Sequence, residues 1–366
     1  MKSMRTLTIT GAAGSVPARE FGPIHGWRAL SGAALACLCA CGGSCNGSPE
    51  NGPVVPSPGE ARGVALALGL NRVDPAHYGG WSGPLTGCEP DARDMHAIAT
   101  AAGLASKTLL TSAATRQAVL AEIAGAATRV AAGGLFVLSY SGHGGQLPDA
   151  NGDDPNDGMD ETWCLFDGEL LDDELHGALT AFAAGVRVLV FSDSCHSGTV
   201  LRMRADDFER SRSDRHEILT RDWSDKSKPG VLAVRDRPTL DRSTLAVRSM
   251  PPGTAIDTFL ANKAFYVDIG TRAPRDARAN MKCQALLISG CEDDQLSADL
   301  GTNGLFTLEL VRVWNGGNFG GGHPAFQQAI RAAVLQGNPS QAPAYFTVGI
   351  PIPGFEAQKP YSLAAP

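Results

Sequence analysis

No apolar run in the chain reaches the roughly 18 residues of a membrane-spanning helix, so none is expected. An excess of basic residues is also lacking, because 31 Lys and Arg stand against 38 Asp and Glu, a net charge of −7. Nucleic-acid binders neutralise phosphates with clustered Lys and Arg, so such a partner is not indicated. The nine cysteines contain no CxxC pair at zinc-site spacing and do not form a recognisable disulfide framework. The remaining class is a globular chain, 43% hydrophobic, with 366 residues for one large domain or two small ones.

The first 59 residues have the composition of a leader followed by a linker. Basic residues precede a short apolar stretch, "ALSGAALACLCA", which runs into "LCAC" ending at Cys41. This pattern resembles a bacterial lipobox, in which the last cysteine carries a lipid anchor. We therefore predict a signal or lipoprotein leader over residues 1–41 and export to the periplasm or cell surface. The alternative is a disordered Ala-rich extension of a cytoplasmic protein. Residues 42–59 are rich in Gly, Pro, Ser and Asn, which predicts a linker.

Short apolar runs alternate with amphipathic stretches over residues 60–350. The run "GVALALGL" (Gly63–Leu70) is typical of a strand buried on both faces. The stretch "EPDARDMHAIATAAG" predicts a helix that is acidic in its first turn and ended by Gly103. Further strands are predicted at "SKTLLT", "GLFVLSYSG", "VRVLVFSDS", "QALLISG" and "APAYFTVG". The alternation predicts an α/β fold with a mostly parallel central sheet flanked by helices on both faces, followed by a C-terminal tail at 351–366.

Three of these strands end in polar chemistry: "SYSGHGG", "SDSCHSG" and "SGCEDDQ". Ligands bind beyond the carboxyl ends of strands in such sheets, so we expect the three ends to meet at one edge. Cys195 is the candidate nucleophile and His143 its candidate base. His196 is the rival base, but neighbours on an extended chain point to opposite faces, which favours His143. Main-chain N–H groups at Gly144 and Cys195 could form an oxyanion hole. The alternative is an inert buried thiol beside a turn histidine.

Five motifs in order resemble one family. "YSGHGGQ", "DGMDE", "LLDDELH", "DSCHSG" and "SGCEDDQLSAD" are similar to those of the metacaspases, the caspase-like cysteine peptidases, over about Gly63 to Gly349. The resemblance implies a caspase-like fold and endopeptidase activity with a catalytic dyad of His143 and Cys195. It also assigns four residues to the primary specificity pocket, namely Cys88, Asp91, Ser141 and Asp193.

Two carboxylates in one pocket would bind a cation, so Asp91 and Asp193 predict substrates with Arg or Lys before the scissile bond. They would reject Asp by like-charge repulsion. We expect a monomer that acts on proteins or peptides and requires no cofactor. One alternative is a caspase-like protease of different specificity, and another is a non-catalytic binding module with the same fold.

Many metacaspases are activated by calcium, and the family's calcium-binding acids match Asp160, Asp172 and Asp173. A fourth acid often lies seven residues after the catalytic cysteine, where this sequence has Arg202. A guanidinium offers no lone pair and repels a cation. We therefore predict that calcium dependence is weak or absent.

The segment Arg202–Met250 is polar and dense in basic residues, which predicts an exposed insertion between two strands. A flexible segment close to a pocket for Arg and Lys has a high effective concentration there. We predict self-cleavage after a basic residue such as Arg221, Lys228 or Arg248, with the sequence leaving the choice open. The alternative is a surface loop that is never cut.

Overall fold

The computed structural model describes residues 61–152, 158–195, 246–273, 277–292 and 295–364. The predicted leader, the linker and most of the insertion, including Arg202, Arg221 and Lys228, lie outside them, as does His196. The described strands are β1 (Ala61–Gly69), β2 (Ala105–Leu110), β3 (Val130–Ser141), β4 (Gly144–Pro148), β5 (Met159–Leu165), β6 (Gly168–Leu171), β7 (Arg187–Asp193), β8 (Ala246–Val247), β9 (Gln284–Ser289), β10 (Ala298–Asp299) and β11 (Ala344–Gly349). The described α-helices are α1 (Cys88–Ala101), α2 (Arg116–Arg129), α3 (Asp172–Leu179), α4 (Pro252–Ala261), α5 (Lys263–Arg272), α6 (Ala277–Asn280), α7 (Leu305–Trp314) and α8 (His323–Gly337).

Six strands form the central sheet in the order β11-β9-β7-β3-β1-β2. Neighbouring strands are parallel except β11, which runs antiparallel to β9. All six strands are predicted by the sequence, so the mostly parallel sheet is confirmed. Because β3 and β7 are parallel neighbours, their carboxyl ends lie side by side, with Ser141 paired to Asp193.

Helices cover both faces of this sheet, which explains the continuous apolar runs of its strands. Alternate residues of β1 point to opposite sides. Leu66 and Leu68 join a core that includes side chains of α2 and α3. Ala65 and Ala67 join a second core with α1, α7 and α8. Truncating the fully buried Leu68 to Ala would cost about 2–5 kcal/mol in the free energy of unfolding.

Helix α1 begins and ends where the sequence predicts. Its first turn carries Glu89 and Asp91, whose negative charges complement the positive end of the helix dipole. Gly103 follows the helix with φ of +88°, a left-handed conformation that glycine adopts without a Cβ clash. The helix therefore presents Asp91, which is buried, towards the carboxyl edge of the sheet.

A second sheet, which the sequence does not predict, lies between β3 and α3. Strands β4, β5 and β6 form a three-stranded antiparallel sheet there. Gly144 and Gly145 open β4, and β6 has only four residues. Glycine and short length weaken the strand signal, because β-propensity reflects side-chain packing that these positions lack.

The end of the predicted insertion departs from the expectation of an exposed segment. Residues 246–247 form β8, which pairs with β10. Arg248 has 0% of its surface exposed and Met250 has 3%, so for these two residues the expectation is wrong. The segment then continues into α4 and α5, which the sequence analysis also missed.

The predicted C-terminal tail is part of the folded domain as far as residue 364. Phe355 and Tyr361 are buried in the core that includes α1 and α8. The guanidinium of Arg187 in β7 donates hydrogen bonds to the side chain of Gln358 at 2.5 Å and the carbonyl of Ser362 at 3.0 Å. The sequence does not predict this packing, because isolated aromatic residues show neither helix nor strand periodicity. None of the helices described here is long and apolar enough to span a membrane.

Candidate active site

Cys195 and His143 lie just beyond the carboxyl ends of two neighbouring strands. β3 ends at Ser141 and β7 at Asp193, and each candidate catalytic side chain follows two residues later. Both side chains are buried. Gly144 lies against the carbonyl group of Cys195, so closely that any side chain at position 144 would collide with it. The two strand ends therefore meet at one edge, as the sequence predicts.

A short peptide, residues 246–250, runs across this edge and is held by main-chain hydrogen bonds on both sides of Arg248. The N–H of Arg248 donates to the carbonyl of Ser297 at 3.0 Å. The N–H of Met250 donates to the carbonyl of Gly144 at 2.9 Å. The peptide bond that follows Arg248 is thus fixed in one position at the strand ends.

The carbonyl oxygen of Arg248 accepts two hydrogen bonds from the turns that carry the candidate dyad. The N–H of Cys195 donates at 3.1 Å and the N–H of Gly144 at 3.0 Å. Two main-chain donors converging on one carbonyl oxygen are the geometry of an oxyanion hole. They are also the two donors that the sequence analysis proposed for that role.

The sulfur of Cys195 has a main-chain partner on the side opposite β3. The N–H of Ser297 donates a hydrogen bond to Sγ at 3.0 Å. Ser297 therefore holds two parts of the arrangement at once, because its carbonyl accepts from Arg248. The thiol and the peptide bond after Arg248 are positioned by the same residue.

The His143 ring is oriented by its surroundings. Its Nε2 lies 3.0 Å from the carbonyl oxygen of Gly83, which can only accept, so Nε2 carries the proton and Nδ1 is the basic nitrogen. The ring of Trp81 lies 4.7 Å away, centroid to centroid. Burial lowers the pKa of His143 to about 4, although the Gly83 carbonyl opposes this shift. The imidazole is therefore neutral near pH 7 and able to take a proton.

The side chain of Arg248 points into a buried acidic pocket. Its Nη1 lies 3.0 Å from Asp193 Oδ2 and donates to Ser141 Oγ at 2.7 Å. Its Nη2 lies 2.8 Å from Asp91 Oδ2 and 3.3 Å from Asp299 Oδ2. Each guanidinium nitrogen thus meets a different set of oxygens, an arrangement that suits the planar fork of Arg.

Charges in this pocket are strongly coupled. Burial opposes the charge of Arg248, but Asp193, Asp91 and Asp299 outweigh it and raise the pKa of the guanidinium above its usual value. Burial raises the pKa of Asp91 to about 7, while the positive charge of Arg248 and the Ser141 hydrogen bond hold it down. Asp91 would therefore become harder to ionise if the cation left the pocket.

The four residues predicted for the pocket occupy different parts of it. Asp91, Asp193 and Ser141 contact the guanidinium directly. Cys88 does not contact it in the same way, and its thiol lies 3.9 Å from Asp299 Oδ2, behind the carboxylates. Burial raises the pKa of the Cys88 thiol, so this residue acts as a neutral wall.

The family model described as the caspase domain matches residues 62–348. The chain belongs to this family. It is 33% identical to Metacaspase-1 of Saccharomyces cerevisiae over 171 residues, which are 44% of this chain and 36% of that protein. It is 27% identical to Metacaspase-1 of Mycosarcoma maydis over 249 residues, which are 64% of this chain and 57% of that protein. The chain therefore spans less than two thirds of the length of these relatives.

A solved structure from Geobacter sulfurreducens is also similar. It is 46% identical with a TM-score of 0.65, and the match covers 82% of this chain and 98% of that one. With the family match and the curated relatives, the chain carries a caspase-like cysteine-peptidase domain of the metacaspase type. The peptidase family predicted from the sequence is confirmed.

The acids that the family would use for calcium lie away from the acidic pocket, around the start of α3. Asp160 is in β5, and Asp172 and Asp173 open α3; all three are buried. The amide of Asn151 donates to Asp173 Oδ2 at 2.5 Å. In the described part of the chain, no group of three or more His, Cys, Asp or Glu side chains is arranged to hold a metal ion. Calcium dependence stays a prediction for this caspase-domain protein.

Several residues of the site are not predicted by the sequence. Asp299, the third pocket acid, falls within the quoted motif "SGCEDDQLSAD" but received no role. Gly83 and Trp81, which orient His143, lie in the loop before α1, where a Trp among glycines was the available signal. Ser297 contacts Arg248 and Cys195 through its main chain, which leaves no mark in a sequence, and its hydroxyl donates to Asp193 Oδ1 at 2.6 Å.

Proposed function

We propose that this peptidase cleaves peptide bonds after Arg or Lys, with Cys195 as nucleophile and His143 as general base. One observation carries the proposal. The carbonyl oxygen of Arg248 accepts hydrogen bonds from two main-chain N–H groups while its guanidinium lies among three carboxylates. The carbonyl and the guanidinium of Arg248 are thus both bound. A substrate residue that precedes a scissile bond would be bound in the same way.

The reaction follows from these positions. Nδ1 of His143 takes the proton of the Cys195 thiol, and the sulfur attacks the carbonyl carbon of the basic residue. Negative charge that develops on the carbonyl oxygen is stabilised by the N–H groups of Gly144 and Cys195. The C–N bond breaks as His143 returns the proton to the leaving amine. Water then hydrolyses the thioester, which releases the acid and restores the thiol.

Of the basic residues predicted as possible self-cleavage sites, Arg248 is the one at which we place the cut. In the uncut chain, Arg248 fills the specificity pocket and the peptide bond to Ser249 lies across the candidate hole. The chain is therefore its own first substrate, and it also blocks the pocket to others until that bond is broken. The fragments on both sides should stay together, because β7 and β9 are hydrogen-bonded neighbours in one sheet.

Self-cleavage is tested by incubating the purified chain and sequencing any new N-terminus. We expect a fragment that begins at Ser249, and none from Cys195→Ala. Arg248→Lys should be cut more slowly and Arg248→Ala not at all. Arg272→Ala, an exposed arginine paired with Asp268, is the matched control and should be cut normally. A chain that stays whole, or one cut equally in Arg248→Ala, contradicts the proposal.

Specificity is tested separately with reporter peptides that carry Arg, Lys or Asp before the leaving group. We expect turnover of the first two only. We further propose the lipid anchor at Cys41, export and a monomeric state on the sequence features alone. A mass spectrum of the protein purified from its host, with its mass in solution, tests these three together.

A further inference from the structure

Two residues after Arg248, the side chain of Met250 enters a small apolar pocket. Only 3% of Met250 is exposed, although the segment leading to it has the composition of a surface loop. The buried residues that pack with it are Val73, Tyr78 and Cys164, with Trp81 and Ala255 at the edge. The pocket is thus formed by residues that precede the insertion, apart from Ala255 in α4, the helix that follows Met250.

The walls of this pocket are connected to the candidate base. The N–H of Cys164 donates to the carbonyl of His143 at 3.0 Å, and the Trp81 ring packs on the His143 ring. The hydroxyl of Tyr78 donates to the carbonyl of Leu165 at 2.7 Å, so its polar atom is satisfied within the wall. The face towards Met250 is apolar and fixed relative to His143.

The main-chain contacts of residues 249 and 250 would place other peptides in the same position. Met250 donates its N–H to the Gly144 carbonyl, and Ser249 forms a parallel bridge with Gly144. These bonds do not depend on side-chain identity, so the pocket supplies the selection. Gly145 leaves the room required, because a Cβ there would lie 2.8 Å from the Met250 methyl carbon and 2.6 Å from a carboxylate oxygen of Glu169.

Resting on the proposed cut after Arg248, we propose that Val73, Tyr78 and Cys164 form a specificity subsite for the residue two positions after the scissile bond. The subsite takes an apolar side chain that is unbranched at Cβ, such as Met or Leu, and Met250 is its occupant in the uncut chain. Acidic side chains are disfavoured because the apolar walls offer them no partner in place of water.

The test uses the self-cleaved enzyme and quenched peptides that share an Arg-Ser-X sequence across the cut. We expect kcat/KM to be about tenfold or more higher with X as Met or Leu than with X as Asp, which is charged, or Gly, which leaves the apolar walls unfilled. A reporter with its fluorophore directly after Arg has no residue at this position and measures the dyad alone. If the reporter is cut and all four peptides are cut equally, the subsite is refuted while the proposed function stands. If the reporter is not cut, the proposed function itself fails.

Variants of the chain give a second arm. Met250→Asp should slow self-cleavage about tenfold or more, whereas Met250→Leu should be cut nearly as fast as the unchanged chain. Leu260→Asp, at a position 62% exposed in α4, is the matched control for adding a carboxylate to this region. Because Met250→Asp could fail to fold, Gly145→Ala narrows the pocket from the other side and should shift the preference at X from Met towards Ala. Equal self-cleavage of Met250→Asp and Leu260→Asp, or an unchanged preference in Gly145→Ala, would overturn the proposal.

Discussion

The main-chain N–H of Cys195 donates a 3.1 Å hydrogen bond to the carbonyl oxygen of Arg248. The two residues are 53 positions apart in sequence. Cys195 follows the end of β7, and residues 246–250 cross the same edge of the sheet, so one of the chain's own peptide bonds lies beside the candidate nucleophile. Under the proposed function, specificity, catalysis and self-processing would meet at this peptide bond.

We predict that Cys195→Ala and His143→Ala each lower turnover of an Arg reporter by at least about a thousandfold, because the members of a dyad act as a unit. Trp81→Ala is the informative companion, since it removes a ring that packs on His143 but no reacting atom. Its kcat should fall less than that of either dyad variant. Retention of substantial activity by Cys195→Ala would falsify the assignment.

Arg should be preferred over Lys, because the two guanidinium nitrogens meet different acids. Asp299→Asn removes one of the two charges that face Nη2, the other being Asp91. We expect kcat/KM for Arg peptides to fall on the order of tenfold, which is at the lower end for a buried charge pair. Lys peptides should lose less, since a single ammonium cannot span the same oxygens. Asp268→Asn, an exposed acid on α5, is the control. Equal losses for Arg and Lys peptides argue against this geometry.

The pH dependence of binding should come from Asp91. Burial raises its pKa to about 7 with Arg248 in place, and loss of that cation from the pocket raises it further. A protonated Asp91 cannot balance an incoming Arg, so kcat/KM should rise with pH through the neutral range. His143, with a pKa lowered by burial to about 4, is already neutral there. An Arg side chain in the pocket lowers the pKa of Asp91 relative to the empty pocket, so at saturating Arg substrate kcat should rise with pH at a lower pH than kcat/KM does. A flat kcat/KM between pH 6 and 8 contradicts this account.

The dyad could be predicted from sequence because Cys195 and His143 each follow a buried apolar strand, and parallel strands end at a common edge. Asp91 was assigned to the pocket through the resemblance to the metacaspases, because an acid in the first turn of a helix is common and indicates no pocket by itself. Asp299 was not, since its strand has two residues and no periodicity. The buried roles of Arg248 and Met250 were hidden because they depend on where the insertion re-enters the sheet edge. Their burial depends on contacts with residues distant in sequence, whereas the local composition predicts a solvent-exposed segment.

Calcium should have little effect on activity, because Arg202 stands where the family often has an acid. The measurement is a calcium titration against EGTA, in the unchanged chain and in Arg202→Asp. We expect calcium to activate only the variant, in which the new acid would join Asp160, Asp172 and Asp173 as oxygen ligands. Large, saturable activation of the unchanged chain would show that Arg202 does not decide calcium dependence.

Removing the Arg248 side chain should open the pocket without a cut. In a Cys195→Ala background no peptide bond is broken, so affinity for an Arg-containing peptide reports on the pocket alone. Arg248 fills that pocket in the uncut chain, so we expect weak binding by Cys195→Ala and at least about tenfold tighter binding by Cys195→Ala/Arg248→Ala. Cys195→Ala/Arg272→Ala should bind as weakly as Cys195→Ala. Thermal unfolding checks that the double variant is folded, since removing one partner of a buried ion pair is destabilising unless water reaches the remaining carboxylates. Equal binding by a folded Cys195→Ala/Arg248→Ala chain would mean that Arg248 does not block the pocket.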